Sequence, residues 1–398
     1  MARLSHVRPP PGRHTARRRN RCRAALLLLL VCTPVAADDL ATLGRALFFD
    51  PNLSAHRTQS CASCHDPARG FVDLRPNASG GAVSLGDDGA SLGTRNAPSI
   101  GYAALVPPFA RSDDGAWLGG LFLDGRAADL AAQAAQPFVN PREMALSDAA
   151  AVVARVRENP AHVAALEAHY GADVFASTPR AMAAITGAIA AFEQTPPFVA
   201  FDSRYDRYLS GEIELTIDEE LGRRIYFSDL VNCMQCHLLD DTRADRREPF
   251  SDHRYHNIGV PPNPAVPLPA ADRGLGGRDD IDDPTADGRF RTPSLRNVAV
   301  TGPYMHNGVF RDLETAIRFY NKYLVNNAVV GINPETRRDW GEPEIGANVE
   351  RELLGQGQPL DDTRVRQLVA FLRALTDRRF EHLLPPLATD NESDHAQP

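Results

Sequence analysis

The sequence predicts an all-α chain in which one helical unit occurs twice in tandem, with long loops around it. Three observations carry that expectation. The pentapeptide C-x-x-C-H stands at Cys61-Ala-Ser-Cys64-His65 and again at Cys233-Met-Gln-Cys236-His237. A related heptapeptide precedes each copy, LGRALFF (43–49) and LGRRIYF (221–227). Elsewhere apolar residues recur at the three-to-four-residue spacing of helix faces. The 398 residues allow two units, each large enough to bury its own core.

In chain order, residues 1–37 read as a secretory leader. Residues 1–23 carry eight Arg and no acid, Ala24–Cys32 is a short apolar run, and TPVAA precedes a cut after Ala37. The run is too short to span a bilayer, and no later segment is long and apolar enough. Cys32 raises a lipoprotein anchor as an alternative, against which the bulky Val31 stands. The Arg run raises a twin-arginine signal as another. LGRALFF then begins a short helix leading into the first C-x-x-C-H loop. Ser147–Glu158, Pro160–Tyr170 and Pro179–Gln194 read as helices, with Thr178-Pro179 as N-cap and first-turn proline. Residues 193–212 have the composition of a linker and set the boundary between units 38–200 and 201–384. TIDE (216–219) is a capping box opening the helix into the second copy. Residues 259–289, rich in Pro, Gly and Asp, form a long loop. In 361–375, Val365, Leu368, Phe371, Leu372 and Leu375 share one face of a closing helix. Residues 385–398 read as a disordered tail.

C-x-x-C-H is the pattern of c-type haem attachment: two thiols add across the vinyl groups, and the histidine turns to the iron. A zinc knuckle or a disulfide pair is the alternative. Four of the six Cys sit in the two motifs, and Cys22 and Cys32 lie in the leader, so no thiol is left over in the mature chain. Two covalent haems on tandem cytochrome c-like domains follow, in an exported, periplasmic protein. Because such haems are attached to an unfolded chain after export, general secretion is the route expected. Losing the leader removes eight positive charges and no negative one, moving the net charge from −8 to about −16. That excludes nucleic acid as a natural partner. It suits a basic electron-transfer partner, and equally plain solubility. Lys322 is the lone Lys, a compositional habit.

An electron-carrying haem has two strong axial ligands, whereas a reactive one keeps a side open. The loop from Asp66 to Leu105 holds no His and no Met, and His56 lies before the motif. The nearest later Met is Met144. The first haem is therefore expected to be five-coordinate and peroxide-binding, unless a ligand arrives from elsewhere.

FLDGRAADLAAQAAQPFVNPREM (122–144), RNAPS (95–99) and FRTPSLRNVAVTGPYMHNGVFRDLETAIRFYN (290–321) resemble the bacterial di-haem cytochrome c peroxidase and MauG family over nearly the whole mature chain. The resemblance implies that Glu143 is the distal-pocket carboxylate that moves protons in O–O cleavage, with Gln133 and Pro137 on the same side. It also implies a calcium site at Asn96, Thr301 and Pro303, whose oxygens suit a hard cation. Fourteen residues past His306 of PYMHNG, where the peroxidases have an axial Met, stands Tyr320, which places the chain in the MauG-like branch. Tyrosinate is an anionic ligand that stabilises oxidised iron. Met305, His253, His256 and His306 are its rivals, and a packing role is the other reading of Tyr320.

Two departures stand out. Leu123 occupies the place of a family Trp between the haems, leaving Phe122 or Trp117 as substitutes. Val231 occupies the place of the Trp that faces MauG's protein substrate. The expected activity is reduction of hydrogen peroxide with electrons from a small cytochrome or copper protein. The alternatives are oxidation of a protein side chain in cofactor maturation, and a non-catalytic di-haem carrier. No stable membrane insertion is expected.

Overall fold

The computed structural model describes residues 37–238, 247–266, 268–324 and 331–386. The leader and the segment 387–398 lie outside them. Eleven α-helices run in chain order through the described residues. They are α1 (Ala37–Phe48), α2 (Cys61–Cys64), α3 (Leu130–Val139), α4 (Ala149–Arg157), α5 (Pro160–Tyr170), α6 (Thr178–Glu193), α7 (Arg204–Leu209), α8 (Ile217–Tyr226), α9 (Leu313–Phe319), α10 (Arg351–Leu354) and α11 (Asp362–Ala374).

Their starts follow side-chain chemistry. Asp129 and Asp148 accept from the Ala132 and Ala151 N–H groups, each at 2.8 Å, and so cap α3 and α4. Thr216 and Glu219 close the expected capping box of α8. The start of α6 corrects the expectation by one residue. Ser177 is its cap, and Thr178 is already helical. The expected linker also holds a helix, α7, opened by a box between Ser203 and Asp206. LGRALFF and LGRRIYF correct a third expectation, because they end α1 and α8 instead of beginning them.

Two apolar cores result. In the first, Leu43, Leu47 and Phe48 of α1 meet Ala184, Ile185, Ala188 and Phe192 of α6, with α3, α4 and α5 packed around them. In the second, Tyr226 of α8 meets Leu368, Phe371 and Leu372 of α11. Phe371 is fully buried and makes edge contacts with Tyr205 (5.3 Å) and Phe227 (5.8 Å). Such aromatic pairs add about 0.5–1.5 kcal/mol each beyond area burial.

The chain is helix-rich but not purely helical. Three two-stranded antiparallel ladders interrupt its loops: β1 (Ala110–Arg111) with β2 (Trp117–Leu118), β3 (Tyr255–His256) with β4 (Phe290–Arg291), and β5 (Ile332–Asn333) with β6 (Arg338–Asp339). The second of these pairs Tyr255 with Arg291 and His256 with Phe290, and so fixes the loop 259–289 at both ends. After α11 the chain returns to the first core, where Phe380 packs edge-on against Phe71 (5.8 Å). Beside it, Asp377 accepts hydrogen bonds from Tyr102 (2.5 Å) and Asn297 (2.8 Å). No helix among the described residues is long and apolar enough to cross a membrane.

Candidate active site

The two C-x-x-C-H segments adopt the same local geometry. The histidine N–H donates to the carbonyl of the first cysteine at 2.9 Å in both copies, His65 to Cys61 and His237 to Cys233. The imidazole Nδ1 then donates to a backbone carbonyl, that of Phe71 at 3.2 Å and that of Phe250 at 2.9 Å. Phe71 and Phe250 both sit at positive φ, +63° and +57°, which turns each carbonyl back toward its histidine. A donating Nδ1 leaves the Nε2 lone pair free for a metal, and the carbonyl fixes the ring. Burial lowers the pKa of both histidines and keeps them in the neutral form that ligates. The four thiols are unpaired with one another, and burial pushes Cys64 up to about 11 and Cys233 up to about 12. Two thiols beside a neutral, oriented imidazole, twice over, fit two covalently attached haems.

In the same half of the chain, a cavity of about 310 Å³ is lined by Phe122, Arg126, Gln136, Val139, Asn140 and Glu143. Burial raises the Glu143 pKa, while the Arg126 cation and a 2.8 Å hydrogen bond from Asn140 pull it back. Met144 is turned into the first core and is no ligand there. His56 pairs with Asp87 at 3.0 Å, outside this lining. Gln133 also lies outside it. Gln136, one turn further along α3, takes that place and accepts from Arg126 Nε at 3.0 Å. The sequence reading missed Arg126, Gln136 and Asn140. The D-G-R run at 124–126 was the available signal.

The second centre opens on a cavity of about 360 Å³ that reaches Cys233, Cys236, His237 and Tyr320. Tyr320 follows α9 at the first position of a 3₁₀ turn, Tyr320–Tyr323. Its side chain is about one-third exposed, on the open cavity, and the desolvating surroundings, with the Cys236 and Cys233 thiols, raise its phenol pKa. Of its four rivals, His253 also lines this cavity, with Nδ1 on Ser251 Oγ at 3.2 Å, and the other three are engaged as follows. His256 uses both ring nitrogens, on Glu350 (2.7 Å) and Asp252 (3.1 Å). His306 stacks on Phe290 at 3.8 Å and pairs with Glu344 at 3.1 Å. Met305 lines the same cavity but packs with the cluster around Phe310 and Trp340. Asn96, Thr301 and Pro303 each line this cavity too, and the Asn96 N–H donates to the His306 carbonyl at 2.8 Å.

Phe122 and Leu123 separate the two cavities. Phe122, at φ +60°, lines the first, and Leu123 lines the second. Trp117 lines neither; it stacks on Phe109 at 5.0 Å. Val231 is buried against the second cavity.

The model of the family described as di-haem cytochrome c peroxidase matches residues 38–214. Methylamine utilization protein MauG of Paracoccus denitrificans is 50% identical over 375 residues, covering 91% of this chain and 96% of that protein. The chain belongs to the di-haem cytochrome c peroxidase family. The cytochrome c551 peroxidase of Nitrosomonas europaea, another relative, is 30% identical over 370 residues, covering 92% of this chain and 88% of its own. The crystal structure of the diheme peroxidase BthA from Burkholderia thailandensis aligns with a TM-score of 0.75 at 36% identity, covering 87% of this chain and 88% of that one. As a member of this family the protein is a haem peroxidase with two haems.

Proposed function

We propose that the protein reduces hydrogen peroxide to water at its first haem, taking two electrons and two protons per peroxide, with a redox protein as electron donor. The observation that carries this is Glu143. It is a half-buried carboxyl on a cavity of about 310 Å³, and the first haem loop offers no second His or Met. His65 and His237 would hold the two irons and the four Cys of the motifs would attach the rings; bound there, the first haem would supply redox chemistry toward peroxide and the second would store or relay oxidising equivalents. Glu143, as carboxylate, accepts the proton of the incoming peroxide and returns it to the departing oxygen as water forms. Asn140 orients Glu143 through its Oε1. Tyr320 as second axial ligand, and calcium at Asn96, Thr301 and Pro303, belong to the same reading.

Glu143→Gln keeps the size but moves no proton. The reaction of the holoenzyme with peroxide, followed by stopped flow, slows at least about tenfold. Unchanged kinetics would remove Glu143 from the mechanism.

A second reading is oxidation of a side chain on a protein partner, as part of cofactor maturation. The MauG relative favours it, as does Tyr320 on the second cavity, where the resemblance puts an axial tyrosine. Val231, where an aromatic residue would face that partner, weighs against it.

A further inference from the structure

Arg126 is half-exposed, and an arginine on a loop ordinarily wanders among rotamers. Here it is held on every side. Its Nη1 donates to both oxygens of Asp124 at 2.9 Å, its Nε donates to Gln136 at 3.0 Å, and its guanidinium lies 3.6 Å over the Phe122 ring. Asp124 is itself pinned by Arg95 at 2.6 Å. Arg95 forks onto Asp272 at 2.6 and 2.8 Å. The Asp272 N–H donates to Glu344 at 2.7 Å, and Glu344 pairs with His306. Asp272, Glu344 and His306 line the second-haem cavity, and Arg126 lines the first. Guanidinium and carboxylate thus alternate from one site to the other. Arg95, Asp124 and Asp272 are largely withdrawn from water, which strengthens such charge-assisted bonds.

We propose that Arg126 is a positioning residue for the proton at Glu143, held on the same cavity by an ion-pair ladder that begins at the second-haem cavity; the inference rests on the Glu143 reading above. The groups facing Glu143 are few. Asn140 donates to its Oε1, and the Asp87 N–H donates to its main-chain carbonyl. The Asp87 carboxylate is occupied by Thr58 and His56. The nearby Cys61 and Cys64 thiols become uncharged thioethers once a haem is attached. Arg126 supplies the opposing positive charge. Burial favours the protonated form of Glu143, and the Arg126 charge opposes it; without Arg126 the carboxyl holds its proton to higher pH.

The test is a pH titration of the holoenzyme by infrared difference spectroscopy, in wild type, Arg126→Gln and Arg126→Lys. The protonated-carboxyl band of Glu143 is identified by its loss in Glu143→Gln. Arg126→Gln is expected to raise the midpoint of that band by about one pH unit or more, the shift typical of losing a close opposite charge. The acid limb of the peroxide rate moves with it. Arg126→Lys keeps the charge and restores both. Equal midpoints in wild type and Arg126→Gln overturn the proposal, as does a Lys variant that shifts as far as the Gln variant. Failure of the Glu143 reading is seen separately, as an unaltered peroxide rate in Glu143→Gln.

Discussion

Glu193, at the end of α6, is a carboxyl buried to 4% exposure beside the Cys61 attachment site. Burial pushes its pKa from the ordinary 4.5 up to about 8. Between those values the folded protein keeps a proton that the unfolded chain releases, so stability falls as pH rises through that window. Glu193→Gln removes the dependence. Its gain in Tm over wild type should be larger at pH 8 than at pH 5 in thermal unfolding of the holoprotein; an equal difference at both would show that Glu193 stays ionised. Single residues were unevenly legible in the sequence. The two C-x-x-C-H histidines are legible locally, because the motif's neighbours in sequence are its neighbours in space; Glu143 is pointed to only by the family resemblance, since a lone loop Glu otherwise reads as a solvated residue. Arg126 and its ladder were not, because Arg95 lies 29 positions from Asp124 and 177 from Asp272. Leu123 was readable as a departure. That Phe122 and Leu123 divide between two cavities depends on a left-handed backbone turn at Phe122.

The glycines of the repeated heptapeptide show why the element recurs. A Cβ on Gly44 would stand 1.8 Å from the Ala188 carbonyl oxygen and 2.9 Å from the Phe192 Cβ. A Cβ on Gly222 would stand 1.8 Å from the Gln367 carbonyl oxygen and 3.0 Å from the Phe371 Cβ. In each unit the helix carrying the heptapeptide therefore crosses the unit's last α-helix at its glycine, backbone against backbone. Because the obstacle is a helix carbonyl, it cannot rotate away. Gly222→Ala should force α8 and α11 apart and cost roughly 1–3 kcal/mol, read as a lower denaturation midpoint of the holoprotein; an unchanged midpoint would mean the crossing is looser than described. Helix α8 was legible from its capping box and α11 from its apolar face, whereas α6 was legible as a helix with its cap one residue earlier than expected. Helix α7 was hidden by its Pro- and Gly-rich surroundings, although Ser203 and Asp206 carried a capping signature. Two-residue ladders leave no periodicity to read.

At the scale of the whole molecule, the two cores are joined by buried polar and aromatic contacts, and not by an open linker. Tyr102, Asn297 and Asp377 bond across the chain, Phe380 completes the first core from the far C-terminal side, and the Arg95–Asp272 pair ties the RNAPS segment to the loop 259–289. This arrangement brings residues of both halves to one cavity and places the other cavity a single residue away. The central claim is the division of labour between the two irons: the first open and reactive, the second closed by its own ligand. Electron paramagnetic resonance of the diferric holoprotein, before and after one equivalent of hydrogen peroxide, tests it most directly. The account predicts one high-spin ferric signal, from the haem on His65, that is lost on adding peroxide, together with a distinct low-spin signal from the haem on His237. Two low-spin signals, both indifferent to peroxide, would contradict it.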